Sequence, residues 1–347
     1  MARTTDIGLR RDPQPPMPIV IPSRSSATTS SSVKRLSAMR CGTLPEPPHD
    51  WCCPVACDVM RFAVMPPAHE RFLSTPDLIG EYARTAEEEG FESIWVFEHA
   101  VIPAGYDSKY PYNAEGRIGI EDDDMPEPLT LLAFLAGVTE RLRLGTGVLI
   151  LPQRSPVICA KECATVDALS GGRLELGIGV GWLREEAEAV GTKFEDRGKR
   201  TDESIDVMRA LWRESEATFH GEFTHFDRAK SYPKPAQAGG PPIHVGGHSS
   251  AAARRAGRVG DGWFPIGLDD ANFEARHEEM RAAAQEADRD PDSIEITYNR
   301  GNKLDTVKRY ADLGVSRWIV AAWGTDLESS KRILGELSKK LVAPLSE

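Results

Sequence analysis

From residue 60 onward, short apolar runs alternate with longer segments whose apolar positions recur every three to four residues. The short runs read as strands: RFAVM at 61–65, ESIWVFEH at 92–99, LRLGTGVLI at 142–150 and RLELGIGV at 173–180. IHVGG at 243–247, the run at 261–266, IEITYN at 294–299 and SRWIVAA at 316–322 continue the series. Helical patterns lie between them at 75–89, 128–139, 156–170, 184–215 (in two pieces), 249–259, 271–288, 303–313 and 326–341. The punctuation agrees with these boundaries. Pro76 follows Thr75 as a first helical residue would, Gly90 stops that helix, and Gly171-Gly172 end the one before the fourth strand.

Eight strands and roughly eight helices in strict alternation imply a parallel sheet with right-handed crossovers. Eight such units over about 285 residues fit an α/β (β/α)8 TIM barrel. A doubly wound sheet usually closes with fewer. The expected barrel domain is 60–347, with insertion loops at 100–127 and 216–240, the second turn-rich enough for a hairpin. Ligands of such a fold gather at the C-terminal ends of the strands. The loops after Glu98, Thr146, Gly179 and Val245 therefore carry the candidate chemistry.

Residues 1–59 break the pattern. PQPPMPIVIP, SRSSATTSSSVKR and LPEPPHD are Pro- and Ser-rich without periodicity, so this segment is expected to be a disordered tail. The Arg10-Arg11 pair has no long apolar stretch after it, which argues against an export signal. Asp6 and Asp12 interrupt a transit-peptide composition, and Met60-Arg61-Phe62 resembles a natural start.

The net charge is -11 with no basic block, so no nucleic-acid partner is expected. No apolar window reaches bilayer length, so no transmembrane helix is expected. Cys41, Cys52, Cys53 and Cys57 fall in the tail. Cys159 and Cys163 lie four apart in a helical pattern and read as buried, reduced thiols, compatible with a cytoplasmic enzyme. No metal site is expected. His49, Cys52 and Cys57 match no zinc spacing, His220 and His225 have no carboxylate pairing, and EDDDMPEP (121–128) reads as a solvated acidic loop.

Four strand ends stand out. Gly177, Gly179 and Gly181 alternate before a helix start, where a ligand could approach the backbone or where helix and strand could pack tightly. Gly246, Gly247 and His248, followed by Ser249 and Ser250 at another helix start, form a candidate anion site, in which a serine could equally be an N-cap. Glu98 and His99 end the second strand, where a histidine can move protons near neutral pH or serve structure alone. Gly147 inside a β-branched strand marks a bulge or a close ligand.

Taken together, GFESIWVFEH, RLRLGTGVLILPQRSPVICAKECATVDALSGGRLELGIGVGWLREEAEAVG and PPIHVGGHSSAAARRAGRVGDGWFP resemble the luciferase-like monooxygenase superfamily. Within it they look most similar to the branch that uses coenzyme F420, a deazaflavin. The resemblance runs from about Arg61 to the C-terminus and leaves the tail without a counterpart. It implies a homodimer and a flavin or deazaflavin at the C-terminal face, over a non-prolyl cis peptide at Gly147-Val148. It implies His99 as the catalytic residue beside the redox carbon. Glu98, Gly147, Val148, Val180, Gly181, Trp182, Gly246, Gly247 and His248 would bind cofactor, with the glycines letting it lie against the backbone. Glu98 stands where many relatives have Asp. Trp182 stands where a sugar-phosphate-oxidising branch has an acid, so that substrate is not expected. The reading is an oxidoreductase moving hydride between F420 and a small organic substrate. The alternatives are an FMN-dependent, oxygen-using monooxygenase and a cofactor-binding barrel without catalysis.

Overall fold

The computed structural model describes residues 60–69 and 71–345. The expectation of a disordered tail at 1–59 lies outside the described residues. In chain order the strands are β1 (Arg61–Met65), β2 (Ser93–Val96), β3 (Arg143–Thr146), β4 (Leu149–Ile150), β5 (Leu174–Gly179), β6 (Ala217–His220), β7 (His225–Ala229), β8 (Ile243–Gly246), β9 (Gly262–Phe264), β10 (Glu295–Tyr298) and β11 (Arg317–Ala321). The main helices are α1 (Pro76–Glu88), α2 (Pro128–Val138), α3 (Pro156–Ser170), α4 (Arg184–Ala189), α5 (Arg197–Arg213), α6 (Ser250–Val259), α7 (Asp270–Glu286), α8 (Leu304–Asp312) and α9 (Leu327–Leu337).

All strands except β6 and β7 pair in parallel, and β1 pairs with both β2 and β11, so the sheet closes. β3 and β4 both pair with β5 and are two halves of one interrupted strand, which makes this a (β/α)8 TIM barrel. The 142–150 run was expected as one strand. Pairing with β2 ends at Val96↔Thr146, and pairing with β5 resumes at Leu149↔Ile178. The interruption is the Gly147-Val148 peptide, which is cis. β6 and β7 form an antiparallel hairpin in the second insertion. Local chemistry sets the helix ends. Pro76, Pro128 and Pro156 open α1, α2 and α3, Gly171 ends α3 at φ 68°, and a capping box of Asp326 and Ser329 opens α9.

The barrel interior is layered. Trp95 of β2 is fully buried in the middle, and side chains at Gly145 or Gly177 would overlap its ring or the neighbouring Thr146 carbonyl. Its indole N–H donates to Ser93 Oγ at 2.9 Å. At the N-terminal strand ends below lies a charged floor. Arg317 is 0 % exposed and meets Glu92 at 3.0 Å, Glu175 at 3.3 Å and Glu295 at 3.4 Å. Arg143 pairs with Glu175, Arg61 with Glu295 at 2.9 Å, and His244 Nε2 lies 2.6 Å from Glu175. Burial pushes the Glu175 carboxyl up, but Arg317, Arg143 and His244 outweigh it and hold it well below the usual carboxylate range. Glu175, His244 and Glu295 are close enough together to ligate a metal, yet Arg317 already binds both carboxylates, so the charge a metal would meet is balanced. Cys159 and Cys163 on α3 are buried free thiols, 3.9 Å apart. No described helix is long and apolar enough to cross a membrane.

Candidate functional site

The C-terminal mouth has an apolar platform. Met65 at the end of β1, Val148 in the interrupted strand and Ile266 beyond β9 are half-buried and pack on Trp95 and Phe264. Val148 owes its place to two glycines. A Cβ on Gly179 would come within 2.6 Å of its Cγ2, and a Cβ on Gly246 within 2.6 Å of its Cγ1. Gly181, at φ 78°, would bring a Cβ to 2.9 Å from the Ile150 side chain. The sequence expected these glycines to let a cofactor lie against the backbone. The space they leave is filled by the protein's own Val148 and Ile150, because the interrupted strand pushes those side chains toward β5 and β8. That is close packing, one of the two readings that the alternating glycines offered.

His99 follows β2 and lies beside Trp182. Its Nδ1 lies 2.9 Å from Glu186 Oε2 on α4, with the two side chains 5 % and 0 % exposed. The other Glu186 oxygen accepts from the Ala100 N–H at 2.6 Å. A buried carboxylate facing Nδ1 favours the tautomer with the proton there, which leaves Nε2 as an acceptor. Trp182 stands edge-on to His99, with ring centroids 5.8 Å apart.

Glu98 is buried and already engaged. It accepts the Ile150 N–H at 2.6 Å and pairs with Arg154, which also binds Glu127, the N-cap of α2, at 2.8 Å. Burial raises the Glu98 carboxyl pKa, with Arg154 and the Ile150 N–H pulling the other way. Glu98 thus holds the strand segment that follows the cis peptide. That is a positioning contact, and the sequence expected Glu98 to bind cofactor as well.

The 100–127 insertion crosses the mouth as an aromatic strap. Tyr106 and Tyr110 flank Trp182 at 5.6 and 5.2 Å, and Tyr112 sits 5.1 Å from His248. Glu185 pins it, accepting from Asp107 N at 2.7 Å and Ser108 Oγ at 2.7 Å. These bonds, the Ser108 hydroxyl foremost, hold the Glu185 carboxyl down to about 2. Burial pushes the Tyr112 hydroxyl up to about 12.

At the β8 end, Gly247 has φ 118° and donates its N–H to the Phe264 carbonyl at 3.1 Å. Ser249 caps α6, accepting from Ala252 N at 3.2 Å. Its hydroxyl is thus spent on the helix, as one of the two sequence readings held. Among the described residues His248 Nδ1 is buried without a partner, and burial lowers the His248 pKa. The mouth thus joins Val148, Trp182 and His248 with His99, and Gly246 and Gly181 border the Val148 and Ile150 side chains. Val180 follows β5 beside them, half-buried. An apolar platform, one oriented histidine and one orphaned ring nitrogen suit a flat, hydrogen-bonding cofactor such as a flavin or deazaflavin. Sequence reasoning missed Glu186, Glu185, Arg154 and the tyrosines of the strap. Glu186 sits in a charged helical run, and nothing in its period signals a partner 87 positions away.

Comparison with known proteins agrees with this architecture. An uncharacterized protein of Mycobacterium tuberculosis is 38% identical over 240 residues, covering 69% of this chain and 82% of that protein. The FMNH2-dependent dimethylsulfone monooxygenase of Pseudomonas putida is 31% identical over 205 residues, covering 58% of this chain and 52% of that enzyme. Among solved structures, the coenzyme F420-dependent tetrahydromethanopterin reductase of Methanopyrus kandleri superposes with a TM-score of 0.66 at 15% identity, covering 83% of this chain and 100% of that one. The family model for luciferase-like monooxygenases matches residues 59–301. With its closed barrel, interrupted third strand and histidine at the mouth, the chain belongs to the luciferase-like monooxygenase family.

Proposed function

We propose that this protein is an F420-dependent oxidoreductase that moves hydride between the deazaflavin and a small organic substrate. The observation that carries the reading is the His99–Glu186 pair, held 2.9 Å apart at the strand ends that also present an apolar platform. The F420-dependent reductase with the same fold supports it. When bound, the deazaflavin supplies the carbon that donates or accepts hydride. The chain supplies everything else. Met65, Val148 and Ile266 would support the ring, and His248 Nδ1 would bond a polar edge or tail. Trp182 and the strap tyrosines would exclude water. His99 Nε2 would take the proton a substrate hydroxyl loses on oxidation and return it in the reverse direction, with Glu186 holding the ring and its charge.

A second reading, an FMN-dependent monooxygenase, is favoured by the Pseudomonas putida relative. Equilibrium fluorescence titration with F420 and with FMN, side by side, separates the two. Micromolar or tighter binding of F420 alone supports the deazaflavin reading. Preference for FMN overturns it and makes oxygen consumption the next assay. We also propose that the chain acts as a homodimer in the cytoplasm. Exposed apolar Val157 and Ile158 on α3 and Phe134 on α2 support a covered face, and light scattering of the purified chain tests it.

A further inference from the structure

Beside the mouth lies a cleft of about 530 Å3. The loop after β4, the loop after α4, residues of α5 and the turn of the β6–β7 hairpin surround it. It holds more donors than acceptors. The Arg200 guanidinium lies 4.2 Å over the Phe223 ring, which fixes its place. Among the described residues it has no carboxylate partner, and its Nε is buried without a hydrogen bond.

Glu203, one turn along α5, lines the same cleft but makes no ion pair with Arg200. Both Glu203 oxygens accept from the hairpin amides, at 2.7 Å from Glu222 N and 3.0 Å from Phe223 N. Among the described residues Arg154 Nε is also buried without a hydrogen bond, while the rest of that guanidinium is tied to Glu98, Glu127 and, at 3.8 Å, Glu162. A guanidinium held in place, half-buried and unpaired, is a costly arrangement unless an anion completes it.

The cleft also borders the turn after β5. Gln153 lines it, and the Gln153 side-chain nitrogen is 3.7 Å from where a Cβ on Gly181 would stand.

We propose that this cleft is an anion subsite in which Arg200 receives a carboxylate from the extended tail of the bound cofactor. The source of that carboxylate rests on the deazaflavin reading. F420 carries a tail of glutamates beyond its phosphate, whereas FMN ends at its phosphate. A guanidinium and a carboxylate form two parallel charge-assisted bonds, which gives this end of the site both affinity and discrimination between the two cofactors.

The test is equilibrium fluorescence binding to the full chain. The ligands are F420 with its glutamate tail and the tail-less deazaflavin, and the proteins are the wild type, Arg200→Gln and Arg200→Lys. The wild type should bind the tailed form about tenfold more tightly at low salt, the scale of one charge-assisted pair. Arg200→Gln should remove that preference and leave the tail-less ligand unchanged, and Arg200→Lys should keep part of it. Free triglutamate is the second probe. It should raise the Tm of the wild type and not that of Arg200→Gln. A tail preference that survives Arg200→Gln, with triglutamate acting equally on both proteins, overturns the subsite. If F420 fails to bind while triglutamate still distinguishes the two proteins, the deazaflavin reading and the tail assignment fall, and the cleft stands as a carboxylate site for another ligand.

Discussion

His99 Nδ1 lies 2.9 Å from Glu186 Oε2, and the two residues are 87 positions apart in the chain. One is at the end of β2 and the other on α4, so only closure of the barrel brings them together. The pairing favours the tautomer with the proton on Nδ1, which leaves Nε2 as an acceptor. His99→Ala should therefore lower kcat by roughly 100- to 10,000-fold, the range of a lost general acid or base, with little change in cofactor Kd. Glu186→Gln keeps the shape and removes the charge, and should cost on the order of 10- to 100-fold in kcat. Steady-state kinetics beside fluorescence titration measures both. Full turnover in Glu186→Gln would sink the positioning role.

Val148 is wedged between two backbones that lack side chains. Gly179→Ala places a Cβ 2.6 Å from Val148 Cγ2, and should destabilise the fold by about 1–3 kcal/mol, as overpacking does. In a Val148→Ala background most of that cost should vanish, because the clashing methyl groups are gone. Urea melts of the two single variants and the double variant close the cycle. Simple additivity would show that Val148 is not what the glycine accommodates.

Arg317 joins three carboxylates in the charged floor and is fully buried. Arg317→Met strands part of that negative charge, and should cost about 3–5 kcal/mol. Burial pulls the Arg317 pKa down, but Glu92, Glu175 and Glu295 more than restore it, so the residue stays charged across the working range. Chemical denaturation at neutral pH reads the loss. A change below 1 kcal/mol, the scale of an exposed pair, would mean the floor relaxes or admits water.

Glu185 couples the strap to α4, and its carboxyl is held down to about 2. A carboxylate whose folded pKa is depressed contributes stability that is fully present above its unfolded pKa near 4.5 and is lost as pH falls toward 2. Acid should thus loosen the strap over that window, at or before global unfolding. Trp182 sits against Tyr106 and Tyr110, so its fluorescence should report the change. Glu185→Gln should flatten the transition between pH 4.5 and 2. An unaltered acid profile in that variant would assign the change to other carboxylates.

The cis peptide at Gly147-Val148 was legible before the structure, but through the resemblance of the surrounding motif rather than from periodicity. The glycines beside it were equally legible as places of close approach. A repeated glycine announces a close approach, and only the fold says what approaches. Here it is Val148 from the neighbouring strand, which no local pattern can reveal. Glu98 shows the same limit. Its place at a strand end was plain, while its bonds to Ile150 and Arg154 follow from strands that meet only after closure.

The sequence by itself determined the strand and helix periods, the eight-unit count, the caps at Pro76, Pro156 and Gly171, and the strand ends where chemistry gathers. Those are local properties, carried by backbone preferences and by the 2.0 and 3.6 residue repeats. Only the tertiary structure decided that Glu186 orients His99, that Glu185 fastens the strap, that Arg317 balances the barrel floor, and that Arg200 stands unpaired in a cleft. Those are contacts between charged groups far apart in sequence. Their side chains carry no period of their own, and their partners are chosen by where closure of the barrel sets them down.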